Sequence, residues 1–322
     1  MKIPSVTFPS ASSPLFVPPP LFPGARVALL CPSGPVSEER LLASQKALLD
    51  LGLRPVVFNS ARAKDGYLAG PDCLRADDLN QAFSDGSIDG ILALRGGYGA
   101  HRLLPLLDFS TIGQNPKYFG GYSDITALHT AFVQLCGFVT YHTIMPATNY
   151  FTPIDDYSMM YLKRAFFSGL TGPLYNPPDQ PLVTLSGGSA AAPLCGGNLT
   201  VLTDSLGTPW EIDTKGKILF LEEVHEPHYR VDAMLTQLRN AGKLSSCAGI
   251  LLGAFTEPEA ENLAAEDDLP LQKIFASLLP TGIPILSGLA CGHVLPSLAL
   301  PMGAILVMDA DRKTLQILPS DF

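Results

Sequence analysis

The sequence predicts an α/β protein: a doubly wound, parallel-sheet N-terminal domain followed by a smaller, mixed α/β, strand-rich C-terminal domain. Three observations carry that expectation. Apolar strand-like runs alternate with helical periodicity through the first half, as βαβ crossovers require. A Gly/Pro/Ser/Asn-rich stretch interrupts the chain between Phe167 and Gly188, which is linker composition. At 322 residues the chain exceeds what one core usually serves.

Arg26-Val-Ala-Leu-Leu-Cys31 reads as a buried strand closed by Pro32-Ser-Gly-Pro35. Ser37 is placed to cap a helix whose first turn carries Glu38 and Glu39 and whose apolar face is Leu41, Leu42, Leu48 and Leu49. Strand follows at Pro55-Val-Val-Phe58, helix from Leu74 to Phe83, strand at Ile91-Leu-Ala-Leu94, a glycine-rich turn, helix from Ala100, and a short strand ending at Gly120. In the second half, strands are expected at 217–221, 249–253, 283–286, 304–308 and 314–318, with helices after Asn198 and over 231–241. The resulting division is a proline-rich arm over 1–22, an N-terminal domain over 23–166, a linker over 167–188 and a C-terminal domain over 189–322.

Composition excludes several classes of function. A hydrophobic fraction of 47% against 16% charged residues is that of a globular enzyme with a large core. The formal charge of −9 offers no basic face for a phosphate backbone, so nucleic acid is not an expected partner. Seven prolines interrupt residues 4–23, leaving no apolar run for an ordinary signal peptide, and no segment elsewhere reaches the length needed for a membrane helix. A cytoplasmic location is expected. The six cysteines are scattered without a C-x-x-C pair and read as reduced core residues. His225, His228 and the glutamates near them form no H-E-x-x-H pattern, so neither a metal nor another cofactor is expected.

Four stretches can carry chemistry. In Tyr118-Phe-Gly-Gly-Tyr-Ser-Asp-Ile-Thr126 a short apolar strand turns through glycines into a helix, with Ser123 at the elbow. A hydroxyl there stands over the carboxyl edge of a sheet, beside the backbone N–H groups of a helix start. The stretch departs from G-x-S-x-G because Ile125 occupies the last position, and helix capping alone also accounts for a serine at this place. Arg95-Gly-Gly-Tyr-Gly99 lets backbone amides approach a ligand closely but lacks the spacing of a nucleotide turn; an ordinary βα turn is the plainer reading. Leu219-Phe-Leu-Glu-Glu223 ends an apolar strand in two carboxylates on opposite faces, one of them able to face a cleft and the other solvent. His293 follows Gly292 in a loop, and His142 follows a strand that can line the same cleft. His101 and His129 fall on expected helices as packing or surface residues.

Together, and in this order, these elements resemble the LD-carboxypeptidase family of serine peptidases. The matching segments are Arg95-Gly-Gly-Tyr-Gly99, Gly121-Tyr-Ser-Asp-Ile-Thr126, Gly196-Gly-Asn-Leu199, Gly207-Thr-Pro-Trp210, Phe220-Leu-Glu-Glu223 with Tyr229-Arg-Val-Asp232, and Gly292-His293 with Leu300-Pro-Met-Gly303. The resemblance implies Ser123 as nucleophile, Glu222 as triad acid with Glu223 as the alternative, and His293 as general base. It implies an oxyanion hole of backbone N–H groups from Asp124 and from Gly96 or Gly97, an active site between the domains, and a homodimer. Arg95, Arg230 and Tyr98 are candidates to bind the substrate carboxylate. The implied substrate is the murein tetrapeptide, cut before its terminal D-alanine during cytoplasmic cell-wall recycling. A side branch of the family hydrolyses peptide–nucleotide antibiotics for self-immunity, but Leu182 to Leu194 carries no long aromatic insertion for stacking a nucleobase. The readings from other classes are a non-catalytic α/β binding module and another acyl hydrolase, such as a glutamine-amidotransferase-like enzyme. Cys31 and Cys136 sit at no elbow.

Overall fold

The computed structural model describes residues 15–148, 153–256 and 268–319. In chain order its elements are β1 (Arg26–Leu30), α1 (Glu38–Asp50), β2 (Arg54–Val57), α2 (Asp72–Ser84), β3 (Gly90–Ala93), α3 (Phe109–Gln114), β4 (Tyr118–Gly121), α4 (Thr126–Ala131), β5 (Thr140–His142) and α5 (Asp156–Ser168). They continue with β6 (Gly172–Leu174), β7 (Val183–Ser186), β8 (Ser189–Asn198), α6 (Leu199–Asp204), β9 (Ile218–Val224), α7 (His228–Asn240), β10 (Gly249–Thr256), α8 (Leu271–Leu278), β11 (Ile285–Ser287), β12 (Leu300–Met302), β13 (Ile305–Asp309) and β14 (Thr314–Ile317).

The first sheet has the order β12-β5-β4-β3-β1-β2. Its strands β1 to β5 are mutually parallel, and β12 adds an antiparallel edge. Strand order reverses between β1 and β3, and the crevice beyond the carboxyl ends of such strands is where ligands bind in open α/β sheets. Helices begin as their sequences dictate: the Ser37 side chain accepts from the Arg40 N–H at the start of α1, and Asp155 does the same for Ser158 at α5. The expected helix from Ala100 is instead two 3₁₀ turns, Ala100–Arg102 and Leu104–Leu106. Pro105 lies inside the second turn, where its missing N–H and fixed φ do not sustain a regular helix.

The second sheet has the order β6-β14-β13-β8-β9-β10-β11-β7. Its centre, β8 to β11, is parallel, and its edges are antiparallel. With eight strands against six, it is the larger sheet. Residues 167–188, expected as linker, contribute β6 and β7 to it: Gly172-Pro-Leu and Val183-Thr-Leu-Ser are short edge strands, where proline and exposed side chains are tolerated. One apolar cluster runs through both halves, from Leu29 and Tyr118 to Phe220, Leu251 and Met308. A second lies against the first sheet around Phe83, Phe119 and Phe132.

Most of the proline-rich arm, residues 1–14, lies outside the described residues. Its remainder is tied down: Phe16 pairs with Phe138, the Leu21 N–H donates to the Phe166 carbonyl, and Leu21 is buried. Cys31, Cys195, Cys247 and Cys291 are buried as expected, whereas Cys136 is half-buried and Cys73 is exposed on α2. Among the described residues no helix is long and apolar enough to cross a membrane.

Candidate active site

β4 is entirely buried and ends in two glycines that its neighbours require. A Cβ on Gly120 would lie 2.8 Å from the Leu92 side chain, and one on Gly121 would lie 3.0 Å from that of Ile125. Tyr122 continues extended, and then Ser123 takes φ +66°, the left-handed region. A non-glycine residue held there stores strain of order 1–3 kcal/mol and persists only where the surroundings impose it. The 3₁₀ turn Ser123–Ile125 leads directly into α4. The serine is therefore turned off the strand at the start of a helix, half-buried.

The glycine turn meets this elbow. A Cβ on Gly96 would stand 2.9 Å from Ser123 Oγ and 3.4 Å from the Asp124 nitrogen, so only a glycine leaves the hydroxyl accessible there. Gly97 and Gly99 hold φ +118° and +126°. The Gly34 N–H donates to the Gly96 carbonyl at 3.1 Å; in a trans peptide this turns the Gly97 N–H away from Gly34.

The acid candidate comes from the second sheet, and the base candidate from the loop between β11 and β12. Glu222, near the carboxyl end of β9, is fully buried, and its Oε2 lies 2.8 Å from Nδ1 of His293. Gly292 holds φ +119°, and a Cβ there would reach within 2.7 Å of Glu222 Oε2. The loop can approach the carboxylate this closely only without a side chain. The His293 ring packs 4.7 Å from the ring of Tyr122, the residue preceding Ser123. Thr126 of α4 accepts the Asn198 N–H at 3.0 Å, which further fixes one half of the chain on the other.

Glu223 differs from its neighbour and from expectation. It does not face solvent: it is buried and accepts from Asn198 Nδ2, Thr200 N, Thr200 Oγ1 and Val224 N at 2.7 to 2.9 Å. Those donors include an orphan N–H from the first turn of α6, so the carboxylate closes that helix end. Burial raises its pKa.

Other candidates scatter. Arg95 is exposed and donates to the Pro35 carbonyl at 3.3 Å. Tyr98 is half-exposed and meets Tyr67 edge-on at 5.9 Å. Arg230, on α7, lies 3.6 Å from Glu226. His228 pairs with Asp268 at 2.6 Å, and no group of three metal-ligating side chains occurs among the described residues. His129 is buried between Thr140 Oγ1 and the Gly121 carbonyl, and burial lowers its pKa to about 4. His142 is buried against Tyr122 and Phe220, with its pKa driven well below the usual range by burial first and by the neighbouring His129 and His293 next. Both histidines are neutral packing residues beneath the site.

Sequence reasoning missed Tyr122, whose contact with His293 depends on how the two sheets meet, and Arg75. Arg75 sits on α2 with its side chain fully buried, while helical periodicity gives a charged residue no reason to be inside. Asp124 was expected to act through its N–H alone. Its carboxylate is also engaged, accepting from Ser33 Oγ at 2.5 Å and from the Ala100 N–H at 2.8 Å, with its pKa raised by burial.

Comparison with known proteins places the chain in a family. Residues 27–143 match the LD-carboxypeptidase N-terminal domain and residues 191–308 the LD-carboxypeptidase C-terminal domain. A probable murein peptide carboxypeptidase of Bacillus subtilis is 39% identical over 295 residues, covering 90% of this chain and 91% of the relative. Among solved structures, a muramoyltetrapeptide carboxypeptidase from Oxalobacter formigenes superposes with a TM-score of 0.80 at 27% identity, over 92% of this chain and 100% of the other. An MccF-like protein from Bacillus anthracis superposes with a TM-score of 0.82 at 26% identity, over 95% and 100%. With both domains matched and a relative of this identity spanning nearly the whole chain, the protein is a serine-type peptidase of the LD-carboxypeptidase family.

Proposed function

We propose that the protein removes the terminal D-alanine from murein tetrapeptide through a triad of Ser123, His293 and Glu222, in the cytoplasmic recycling of cell-wall peptides. The observation that carries this reading is the 2.8 Å contact between fully buried Glu222 and half-buried His293, whose ring packs against the residue next to Ser123. A carboxylate on Nδ1 fixes the tautomer that leaves Nε2 basic, and it stabilises the imidazolium formed when the base takes a proton. His293 removes the Ser123 proton, and the serine oxygen attacks the carbonyl of the amide preceding D-alanine. The N–H groups of Asp124 and of Gly96 or Gly97 stabilise the oxyanion. His293 returns its proton to the leaving amine, and water then releases the acyl group by the same steps. Arg95 beside the turn is the first candidate for the substrate's carboxylate, with Tyr98 and Arg230 after it.

The murein substrate is supported by the name carried by the Bacillus subtilis relative. A peptide–nucleotide substrate is the second reading, favoured by one feature: Tyr67 and Tyr98 are 67% and 49% exposed and lie together by the glycine turn, a surface on which a base can stack. The two are separated by incubating the purified protein with L-Ala-γ-D-Glu-meso-diaminopimelyl-D-Ala, an all-L control and an aminoacyl sulfamoyl nucleoside. Mass spectrometry is expected to show loss of one alanine from the first alone. Cleavage of the nucleoside conjugate alone overturns the murein assignment.

A further inference from the structure

The peptide joining Gly99 to Ala100 is gripped on both sides by buried charge. Its carbonyl oxygen accepts from Arg75 Nη1 at 3.1 Å, and its N–H donates to Asp124 Oδ2 at 2.8 Å. The same guanidinium donates to the Pro32 carbonyl through Nη1, to the Gly70 carbonyl through Nε at 3.2 Å, and to Asp72 through Nη2. Asp72 is in turn held by Arg102. The same carboxylate oxygen of Asp124 accepts the Ser33 hydroxyl. A cation and an anion, both at least 97% buried, thus share one peptide group and draw together the loop after β1, the loop before α2 and the end of the glycine turn.

This is an expensive arrangement. Buried charges are tolerated only when fully hydrogen-bonded. The turn so held is the one whose Gly96 backbone abuts Ser123. Its opposite end is pinned by the Gly34 N–H on the Gly96 carbonyl, and Gly34 follows Ser33 in the loop that Asp124 and Arg75 hold. Glycines at 96, 97 and 99 give the turn no stiffness of its own; its shape must come from outside.

We propose that Arg75 and the side chain of Asp124 are positioning residues for acyl transfer: by clamping the Gly99–Ala100 peptide they fix the glycine turn at the geometry in which its N–H groups meet the oxyanion. The proposal rests on Ser123 being the nucleophile but not on which substrate it cuts. Arg75 reaches four partners only with a forked, planar donor set, which lysine lacks. Asn at 124 keeps an acceptor oxygen but loses the charge that strengthens both bonds.

The test uses the full chain with Arg75→Lys, Arg75→Met and Asp124→Asn, each compared at a temperature where circular dichroism shows it folded. Three readouts are taken: exchange of the Ala100 amide, labelling of Ser123 by a fluorophosphonate, and kcat and KM for the tetrapeptide. The expected result is faster Ala100 exchange with kcat down by about 100-fold, as for loss of about one oxyanion donor or a misplacement of about 1 Å, and KM within about threefold. Partial recovery is expected in Arg75→Lys relative to Arg75→Met. A folded variant with a freed Ala100 amide and wild-type kcat overturns the clamp. If the wild type labels at Ser123 but leaves the tetrapeptide intact, the murein reading alone fails, and the labelling rate takes the place of kcat with the same expected loss. If Ser123 does not label in the folded wild type, both the triad and the clamp's role in acyl transfer are overturned.

Discussion

Glu222 and Glu223 are neighbours on one strand, and both are buried, yet the first faces His293 at 2.8 Å while the second accepts three donors around the start of α6 and the Val224 N–H of its own strand. Alternation along β9 sends them to opposite faces of the sheet, where both faces are covered. Two adjacent carboxylates thus make different contacts, one with the proposed general base and one with the backbone and side chains around α6, and substitution separates the two roles we propose for them.

Glu222→Gln keeps the shape of the side chain but removes the charge that supports an imidazolium and allows the wrong tautomer of His293. We expect kcat for the tetrapeptide to fall by about 10³–10⁴-fold with little change in KM. Steady-state kinetics of the folded variant provides the check; a fall of less than tenfold would remove Glu222 from the triad.

Glu223→Ala strips the acceptor from Asn198, from the backbone of Thr200 and from Val224. Leaving such donors buried without a partner destabilises by about 2–4 kcal/mol. Urea unfolding is expected to show that loss, while kcat stays within about threefold at temperatures where the variant is folded. A large kcat defect in a stable variant would reverse the two assignments.

Gly292→Ala forces a Cβ to within 2.7 Å of Glu222 Oε2 at φ +119°. The backbone conformation alone costs about 1–3 kcal/mol, and relief comes only by moving the loop that carries His293. Turnover is expected to fall by about 10²-fold, in line with a displacement of about 1 Å at a catalytic group. Unaltered kcat would show that the loop's approach to Glu222 is not needed.

Stability should fall on acidification from neutral pH, and His129 supplies part of the reason. Its folded pKa is about 4, below the ordinary value of 6.5, so the unfolded chain binds the extra proton between those limits. The stabilisation is complete above pH 6.5 and is lost as pH drops toward 4, amounting to about 3 kcal/mol across the window. His142 shifts in the same direction. Urea midpoints at pH 7 and pH 5 measure the slope. His129→Gln is expected to flatten it, and an unchanged slope in that variant would rule out His129 as a source.

The elements that position the site were legible where they depend on local pattern. Alternating strands and helices marked the first domain, and glycines flanked Ser123, Arg95 and His293 because each lies where backbone must come close to a side chain. What was illegible depends on tertiary placement. Edge strands β6 and β7 have linker composition because edges tolerate it. Glu223 has the sequence of a solvated carboxylate but lies against the start of α6. Arg75 resembles any charged residue on a helix, and only the meeting of three loops reveals why it is buried. The helix expected after Ala100 was broken by a proline that periodicity outweighed.

The most direct test of the central claim compares release of D-alanine from the tetrapeptide by the wild type and by Ser123→Ala, with circular dichroism confirming that both are folded. The account predicts conversion to tripeptide by the wild type and a loss of at least about 10³-fold in the variant, with any residue of activity due to the oxyanion site alone. A folded Ser123→Ala protein that releases D-alanine at the wild-type rate would contradict it.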